Sequence, residues 1–246
     1  MASGVKTLSE LRILWDKTRG GSSPLPRTKM RKTKTFAIVN DPKVTLGSLP
    51  SEIELLNAWD INWSDLAENE DYIVLGGHMG AYDENEFEYL VSEKKWLNKI
   101  VNSGTKVLGI CLGSQLIADS LGGKAYLSKN IEFGFKNLNF VNNQNLFDPF
   151  KSIKVFTWHR DTFDIPPNAE LIAKTDFPQI FSYKNSISLQ FHPEINLDLF
   201  DNWYSSQQSK DELTSFDVET ERTYLKTNQK MISNAINDFY YLWKNL

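Results

Sequence analysis

The sequence has few of the side chains that usually build reactive or metal-binding sites. Cys111 is the one cysteine among 246 residues, so an intramolecular disulfide is excluded, and the histidines are His78, His159 and His192. These residues do not form a recognisable zinc-ligand spacing. We therefore expect neither a metal nor an organic cofactor. A lone thiol is typical of a reducing compartment, which predicts a cytoplasmic protein.

Long apolar runs are also missing from the chain. No stretch approaches 18 consecutive apolar residues, so the sequence predicts no membrane-spanning helix. The apolar share of 41% and the charged share of 24% are ordinary for a globular protein of this length. A chain of this size can bury a sizeable core without disulfides.

Charge is distributed unevenly along the sequence. Residues 1–34 hold nine Lys and Arg against two acidic residues, a balance of +7, so the remainder carries −11. Glycine, serine and proline over 20–26 predict that 1–34 is a basic leader, either flexible or loosely docked. Residues 35–246 are then expected to form a single domain. Its acidic character argues against nucleic acid as the main partner.

Short apolar runs alternate with helical patterns through the first half of the chain. Buried parallel strands are predicted at 35–40, 72–75 and 106–110, and helices at 51–59, 84–103 and 112–121. After residue 125, successive β-like stretches predict an antiparallel section, and helical periodicity returns from about residue 196. The pattern predicts an α/β fold with a mostly parallel central sheet flanked by helices and an added antiparallel β section.

Cys111 lies between a predicted strand and a predicted helix, with Gly109 and Gly113 on either side. This arrangement resembles the nucleophile elbow, with cysteine in place of serine. A helix N-terminus favours the thiolate, and the N–H of Leu112 would form half of an oxyanion hole. The alternative is that Cys111 is a small buried hydrophobic residue.

The segment 186–194 supplies a candidate base and its orienting partner. Its apolar residues alternate with polar ones, which places His192 and Glu194 on the same side of an extended chain. Glu194 could then accept a hydrogen bond from the imidazole and fix its tautomer. The alternative is a surface strand with a satisfied histidine.

Two further loops follow predicted strands. The backbone of Gly76 and Gly77 could complete the oxyanion hole, with His78 as an ordinary polar loop residue. The loop that contains His159 and Asp161 could line the substrate pocket.

Together, these segments resemble the class I glutamine amidotransferase family, in particular stand-alone members related to the glutaminase domain of GMP synthase. The likeness covers roughly residues 35–200 and rests on the segments 74–84, 108–118, 158–163 and 190–194. Two positions depart from the family pattern: Ser114, where histidine is common, and His78, where proline is common.

The resemblance implies a flavodoxin-like fold and a set of site residues. The implied catalytic triad is Cys111, His192 and Glu194, and the implied backbone oxyanion donors are Gly77 and Leu112. The implied substrate-binding residues are Gln115, His159 and Asp161.

The activity expected from the resemblance is hydrolysis of the glutamine side-chain amide through a cysteine thioester. The ammonia would pass to a separate synthase. Two alternatives remain open: a self-sufficient hydrolase of small γ-glutamyl amides or peptides, and a non-catalytic domain that binds a partner or metabolite. The sequence names neither the ammonia acceptor nor the partner.

Overall fold

The computed structural model describes residues 33–246, so residues 1–32 of the predicted leader lie outside the described part of the chain. The described residues form one eight-stranded sheet and one two-stranded sheet. The strands are β1 (Thr35–Val39), β2 (Glu54–Asn57), β3 (Asp71–Val74), β4 (Val107–Ile110), β5 (Ala125–Lys136), β6 (Asn139–Phe140), β7 (Val155–Phe163), β8 (Glu170–Lys174), β9 (Pro178–Tyr183) and β10 (Ser186–Leu189).

Helices surround these strands. They are α1 (Tyr89–Ser103), α2 (Leu112–Ser120), α3 (Asp148–Lys151), α4 (Leu197–Tyr204), α5 (Gln207–Glu212) and α6 (Val218–Lys244), with short 3₁₀ turns at Ala58–Asp60, Trp63–Asp65 and Asn145–Phe147. None of the helices within residues 33–246 combines the length and the apolar character needed to cross a bilayer.

The large sheet has the order β2-β1-β3-β4-β10-β9-β8-β6. The strands from β2 to β10 in this order are parallel, and the remaining three pairings, β10 with β9, β9 with β8 and β8 with β6, are antiparallel. β5 and β7 form the separate antiparallel sheet. The predicted α/β class, with a mostly parallel sheet and an antiparallel section, is confirmed.

The central strands are buried on both faces, as expected for parallel strands covered by helices. Every residue of β3 and β4 is buried. On β3, Ile73 packs in the cluster that contains α6, whereas Val74 packs in the cluster that contains α1 and α2. The alternation of side chains along a strand thus divides the core into two layers.

Helix α1 starts later than predicted, at Tyr89 rather than at residue 84, and ends at Gly104, which has a left-handed φ of 90°. Val91, an apolar residue of this helix, is 52% exposed. The buried face instead includes Trp96 and a glutamate, Glu93.

The helix predicted over 51–59 is wrong. The chain there forms β2, which pairs with β1 at the edge of the sheet, followed by one 3₁₀ turn. Ile53 is buried but Leu55 is exposed, so the apolar residues do not share one face. The helical spacing of apolar residues in this segment therefore does not indicate a helix. Pairing with β1 determines its local structure instead.

Candidate active site

Cys111 lies at the junction of β4 and α2, at the carboxyl end of the central strands. Its φ of 51° and ψ of −110° are an uncommon backbone conformation for a residue with a side chain. Its N–H donates to the carbonyl of Leu189 on the neighbouring strand at 2.8 Å. Its carbonyl accepts from the hydroxyl of Ser114 at 2.6 Å. These bonds hold the strained residue on both sides.

The glycines on either side of Cys111 allow close packing. A Cβ added at Gly109 would lie 2.7 Å from the carbonyl carbon of Gly113. A Cβ added at Gly113 would lie 2.0 Å from the carbonyl oxygen of Val74 on β3. Neither glycine has a positive φ. The sharp turn between strand and helix therefore requires glycine at both positions for space, while Cys111 itself adopts the unusual torsion.

His192 and Glu194 follow the strand next to β4. Leu189 of β10 pairs in register with Ile110 of β4, so both chains leave the sheet at the same end. The Nδ1 of His192 lies 2.8 Å from Oε1 of Glu194. The N–H of His192 donates to the carbonyl of Phe156 on β7 at 2.8 Å. The imidazole therefore has a fixed orientation in a buried position.

Gly76 lies beside both Cys111 and the imidazole of His192. A Cβ added at Gly76 would lie 3.3 Å from Cε1 of His192 and 3.5 Å from Cβ of Cys111. Burial by itself lowers the pKa of His192, but Cys111 and Glu194 outweigh it through charge and hydrogen bonding and hold that pKa well above its usual value. The site thus favours a cationic imidazole beside Cys111.

The Gly76–Gly77 turn lies beside the start of α2. A Cβ added at Gly77 would lie 2.9 Å from Cδ2 of Leu112. The next residue, His78, donates its N–H to Oδ2 of Asp41 at 3.3 Å, and its Nδ1 lies 2.6 Å from the same oxygen. The His78 side chain is mostly exposed, in keeping with its interpretation as a polar loop residue. Asp41 thereby anchors the turn.

Two side-chain amides connect the thiol of Cys111 to strand β7. The Nε2 of Gln190 lies 3.8 Å from the sulfur of Cys111. Gln115 donates from Nε2 to Oε1 of Gln190 at 3.3 Å and to the carbonyl of Asp161 at 3.2 Å. The two buried glutamines therefore link the Cys111 sulfur to the backbone of Asp161.

The 158–161 segment lies within β7 rather than in a loop. His159 is buried, with Nδ1 2.9 Å from the carbonyl of Asp161 and Nε2 2.9 Å from Oε2 of Glu132 on β5. The carboxylate of Asp161 accepts from the hydroxyl of Tyr82 at 2.9 Å. Burial raises the pKa of Asp161, and the bond from Tyr82 partly offsets this effect. His159 therefore braces the backbone of Asp161, and the Asp161 carboxylate is bound at the surface by Tyr82.

Sequence reasoning missed Glu132 and Tyr82 as parts of this network. Glu132 pairs in register with His159 across the β5–β7 ladder, and a register shift separates it from the start of β5. No local pattern encodes that register. Tyr82 lies five residues after Gly77, and its aromatic hydroxyl in a loop was the available signal.

Comparisons with known proteins identify the family to which the chain is similar. Residues 44–209 match the family model described as Glutamine amidotransferase class-I. The GMP synthase [glutamine-hydrolyzing] of Brachyspira hyodysenteriae is 33% identical over 129 residues, which are 50% of this chain and 24% of that protein. Gamma-glutamyl peptidase 4 of Arabidopsis thaliana is 30% identical over 149 residues, which are 56% of this chain and 59% of that protein.

A solved structure is similar over most of the described fold. A glutamine amidotransferase from Thermotoga maritima superposes with a TM-score of 0.78 at 25% identity, covering 87% of this chain and 99% of that chain. The curated relatives are longer than their matched parts, since the match spans about a quarter of one and three fifths of the other.

Proposed function

Because the chain belongs to the class I glutamine amidotransferase family, we propose that it hydrolyses the side-chain amide of glutamine through a thioester on Cys111 and supplies ammonia to a separate synthase. The observation that carries this proposal is the convergence of Cys111 with the His192–Glu194 pair at the ends of two adjacent parallel strands. A thiol beside an oriented imidazole is the arrangement of a cysteine nucleophile with its base.

The proposed reaction begins with attack of the Cys111 sulfur on the γ-carbonyl carbon of glutamine. The carbonyl oxygen becomes an oxyanion, bound by the N–H groups of Gly77 and Leu112, and each such donor contributes about 10²–10³ in rate. His192 gives its proton to the departing nitrogen, and ammonia leaves as the tetrahedral intermediate collapses to a thioester. His192 then takes a proton from water, which hydrolyses the thioester to glutamate and restores the thiol.

Substrate binding is assigned to the side of the site formed by α2 and β7. We assign Gln115 and Asp161 to the amino-acid portion of the substrate, because both lie in the network that reaches the Cys111 sulfur. His159 acts on this wall through the carbonyl of Asp161. We assign no metal or organic cofactor to these steps.

A self-sufficient γ-glutamyl hydrolase is the second candidate function. The likeness to the gamma-glutamyl peptidase of Arabidopsis thaliana favours it. The same thioester chemistry applies, with an amine or peptide as the leaving group instead of ammonia.

The ammonia acceptor is proposed to lie on another protein. The match spans 24% of the GMP synthase relative, so most of that relative has no counterpart in the matched segment. A separate synthase partner and a cytoplasmic location fit the proposed reaction.

Replacing Cys111 tests the chemistry. We expect Cys111→Ala and His192→Ala to abolish release of glutamate from glutamine, because one lacks the nucleophile and the other its proton carrier. Leu242→Ala is the control, since that side chain lies on α6 and is 46% exposed. Measurements are glutamate release and mass-spectrometric labelling by a glutamine-mimicking electrophile. Full turnover by Cys111→Ala would rule out the mechanism, and unlabelled wild-type protein would favour a non-catalytic domain.

A substrate screen distinguishes the two candidate functions. Ammonia and glutamate release are measured for the isolated protein with glutamine and with γ-glutamyl amides and dipeptides. Turnover of glutamine that increases on adding a synthase supports the first function. Rapid turnover of γ-glutamyl peptides by the protein alone supports the second.

A further inference from the structure

Helix α1 carries a buried acid that the proposed chemistry does not use. Glu93 is fully buried on the face that also holds Leu90 and Leu97. Its Oε1 accepts from Nδ2 of Asn40 at 3.2 Å. The other two oxygens of this pair, Oε2 of Glu93 and Oδ1 of Asn40, are both buried without a hydrogen-bond partner among the described residues. Such orphaned atoms in a native core require an explanation.

A single proton on Glu93 satisfies both orphaned oxygens. A carboxylate is an acceptor only, whereas a neutral carboxylic acid has one O–H donor. With that proton on Oε2, the acid can donate to Oδ1 of Asn40 while Oε1 accepts from Nδ2, which closes a cyclic acid–amide pair. Burial raises the pKa of Glu93 to about 8, with partial opposition from the Asn40 bond, so the acid is mostly neutral at pH 7.

Asn40 lies beside the Gly76–Gly77 turn, which carries a proposed oxyanion donor. A Cβ added at Gly77 would lie 3.5 Å from the Cβ of Asn40. The carbonyl of Asn40 accepts from the hydroxyl of Tyr89 at 3.0 Å. The next residue, Asp41, holds the N–H of His78. Asn40 therefore packs beside Gly77, and Asp41 binds the residue that follows it.

None of the titratable groups described around Glu93 provides a positive charge that pairs with its carboxyl group. Tyr89, on the same helix, has a pKa raised by burial and by nearby acids. Asp41, after β1, is paired with His78 from the turn. Lys94 points to Glu84 and to Asp119 of α2. Within residues 33–246, Glu93 forms no ion pair, so its ionisation is not compensated.

We propose that Glu93 is a positioning residue for the oxyanion donors, acting as a neutral acid that locks Asn40 in a cyclic pair and thereby fixes the backbone of Gly77. This inference rests on the proposed function, because it concerns the donors of that reaction. Ionisation of Glu93 removes the shared proton and places a buried anion beside the Asn40 oxygen. The turn then loses its fixed support.

The conservative variant Glu93→Gln separates protonation from structure. Glutamine can donate to Oδ1 of Asn40 and accept from Nδ2 at every pH, so this variant keeps the pair without a titration. We expect wild-type kcat to fall as the pH rises through about 8, relative to Glu93→Gln. His192 titrates in both proteins, so the ratio of their kcat values isolates Glu93.

Two further variants complete the set. Glu93→Leu removes both carboxyl oxygens that face Asn40. We expect kcat to fall ~10- to 100-fold at all pH values, with KM little changed, because the oxyanion N–H donors are then misplaced in the transition state. Glu88→Gln removes an exposed carboxylate at the start of the same helix. We expect it to behave as wild type.

A spectroscopic measurement tests the proton directly. In protein labelled with carbon-13 at glutamate carboxyls, infrared difference spectra should show a neutral carboxyl C=O band at pH 7 that disappears above pH 8 and is absent from Glu93→Gln. A carboxylate at Glu93 at pH 7, or identical pH profiles for wild type and Glu93→Gln, would overturn the inference. Inactive wild-type protein that retains the infrared band would refute the proposed function and not the acid–amide pair.

Discussion

Burial and charge act in opposite directions on His192. Desolvation disfavours the imidazolium, while the Cys111 sulfur and the Glu194 carboxylate favour it, and the net effect raises the His192 pKa. In the proposed reaction this cationic imidazole is the proton donor to the leaving group. Its raised pKa depends on Cys111, so removal of the thiol should change it.

Removing the thiol should lower the pKa of His192. In Cys111→Ala, the largest raising effect is lost, while burial still lowers the pKa and Glu194 still raises it, so we expect the His192 pKa to fall. The Cε1 proton resonance of His192, followed by NMR against pH in both proteins, measures this change. An unchanged His192 titration would mean that the thiol and imidazole do not interact.

The position of Cys111 on a turn between strand and helix could be predicted from the sequence because its signal is local. The turn needs glycine at 109 and 113 for close packing against the chain itself and against Val74. Both glycines lie within two residues of Cys111, so a short sequence window contains the whole pattern. The sequence analysis did not single out Glu93, although it lies at helical spacing between the buried residues Leu90 and Leu97. The pairing of Glu132 with His159 was not visible, because it depends on the register of two strands.

At the scale of elements, α6 closes one face of the sheet. Trp243 and Phe239 are buried in the cluster that also contains Ile73 and Leu108 of the central strands. Lys244 at the end of α6 reaches Asp71 at the start of β3 at 2.6 Å. This helix lies beyond the segment matched by the family model, and yet it supplies part of the core.

Truncating two neighbouring residues of α6 should show how much the helix contributes. Trp243 is 0% exposed and Leu242 is 46% exposed. We expect Trp243→Ala to lower the free energy of unfolding by about 3–5 kcal/mol, and Leu242→Ala to change it by less than about 0.5 kcal/mol. Urea unfolding followed by circular dichroism measures both, and equal effects would contradict the packing described for α6.

Element identity was predictable where burial dominates and not at the edge of the sheet. The central strands β3 and β4 are continuous apolar runs and were found from sequence. The 51–59 segment has apolar residues at helical spacing, but it pairs with β1 through backbone hydrogen bonds that its own sequence does not specify. Parallel pairing between distant segments is a non-local property, which limits prediction from a short window.

For the whole molecule, the buried acid links stability to pH. The folded chain holds a proton on Glu93 up to a pH of about 8, whereas the unfolded chain releases it near 4.5. The contribution of Glu93 to the free energy of unfolding is therefore greatest below the lower value and falls as the pH rises through this window, by up to about 1.4 kcal/mol per pH unit at the steepest. Above the upper value this effect is constant.

Comparing wild type with Glu93→Gln isolates that linkage from other carboxylates. We expect the free energy of unfolding of wild type, relative to Glu93→Gln, to decrease steadily from pH 5 to pH 8. Denaturant titrations at four pH values within the window measure the difference. A difference that does not vary with pH would show that Glu93 is already ionised in the folded protein.

The position of β10 between β4 and β9 has a consequence for the protein during its synthesis. Cys111 leaves the ribosome well before His192, and translation at about 5–20 residues per second separates them by several seconds. Through that interval the thiol lacks its proposed base, since His192 reaches it only when β10 inserts into the middle of the sheet. An unfinished chain should thus lack the proposed glutamine hydrolysis, and the appearance of that activity during translation would report the completion of the sheet.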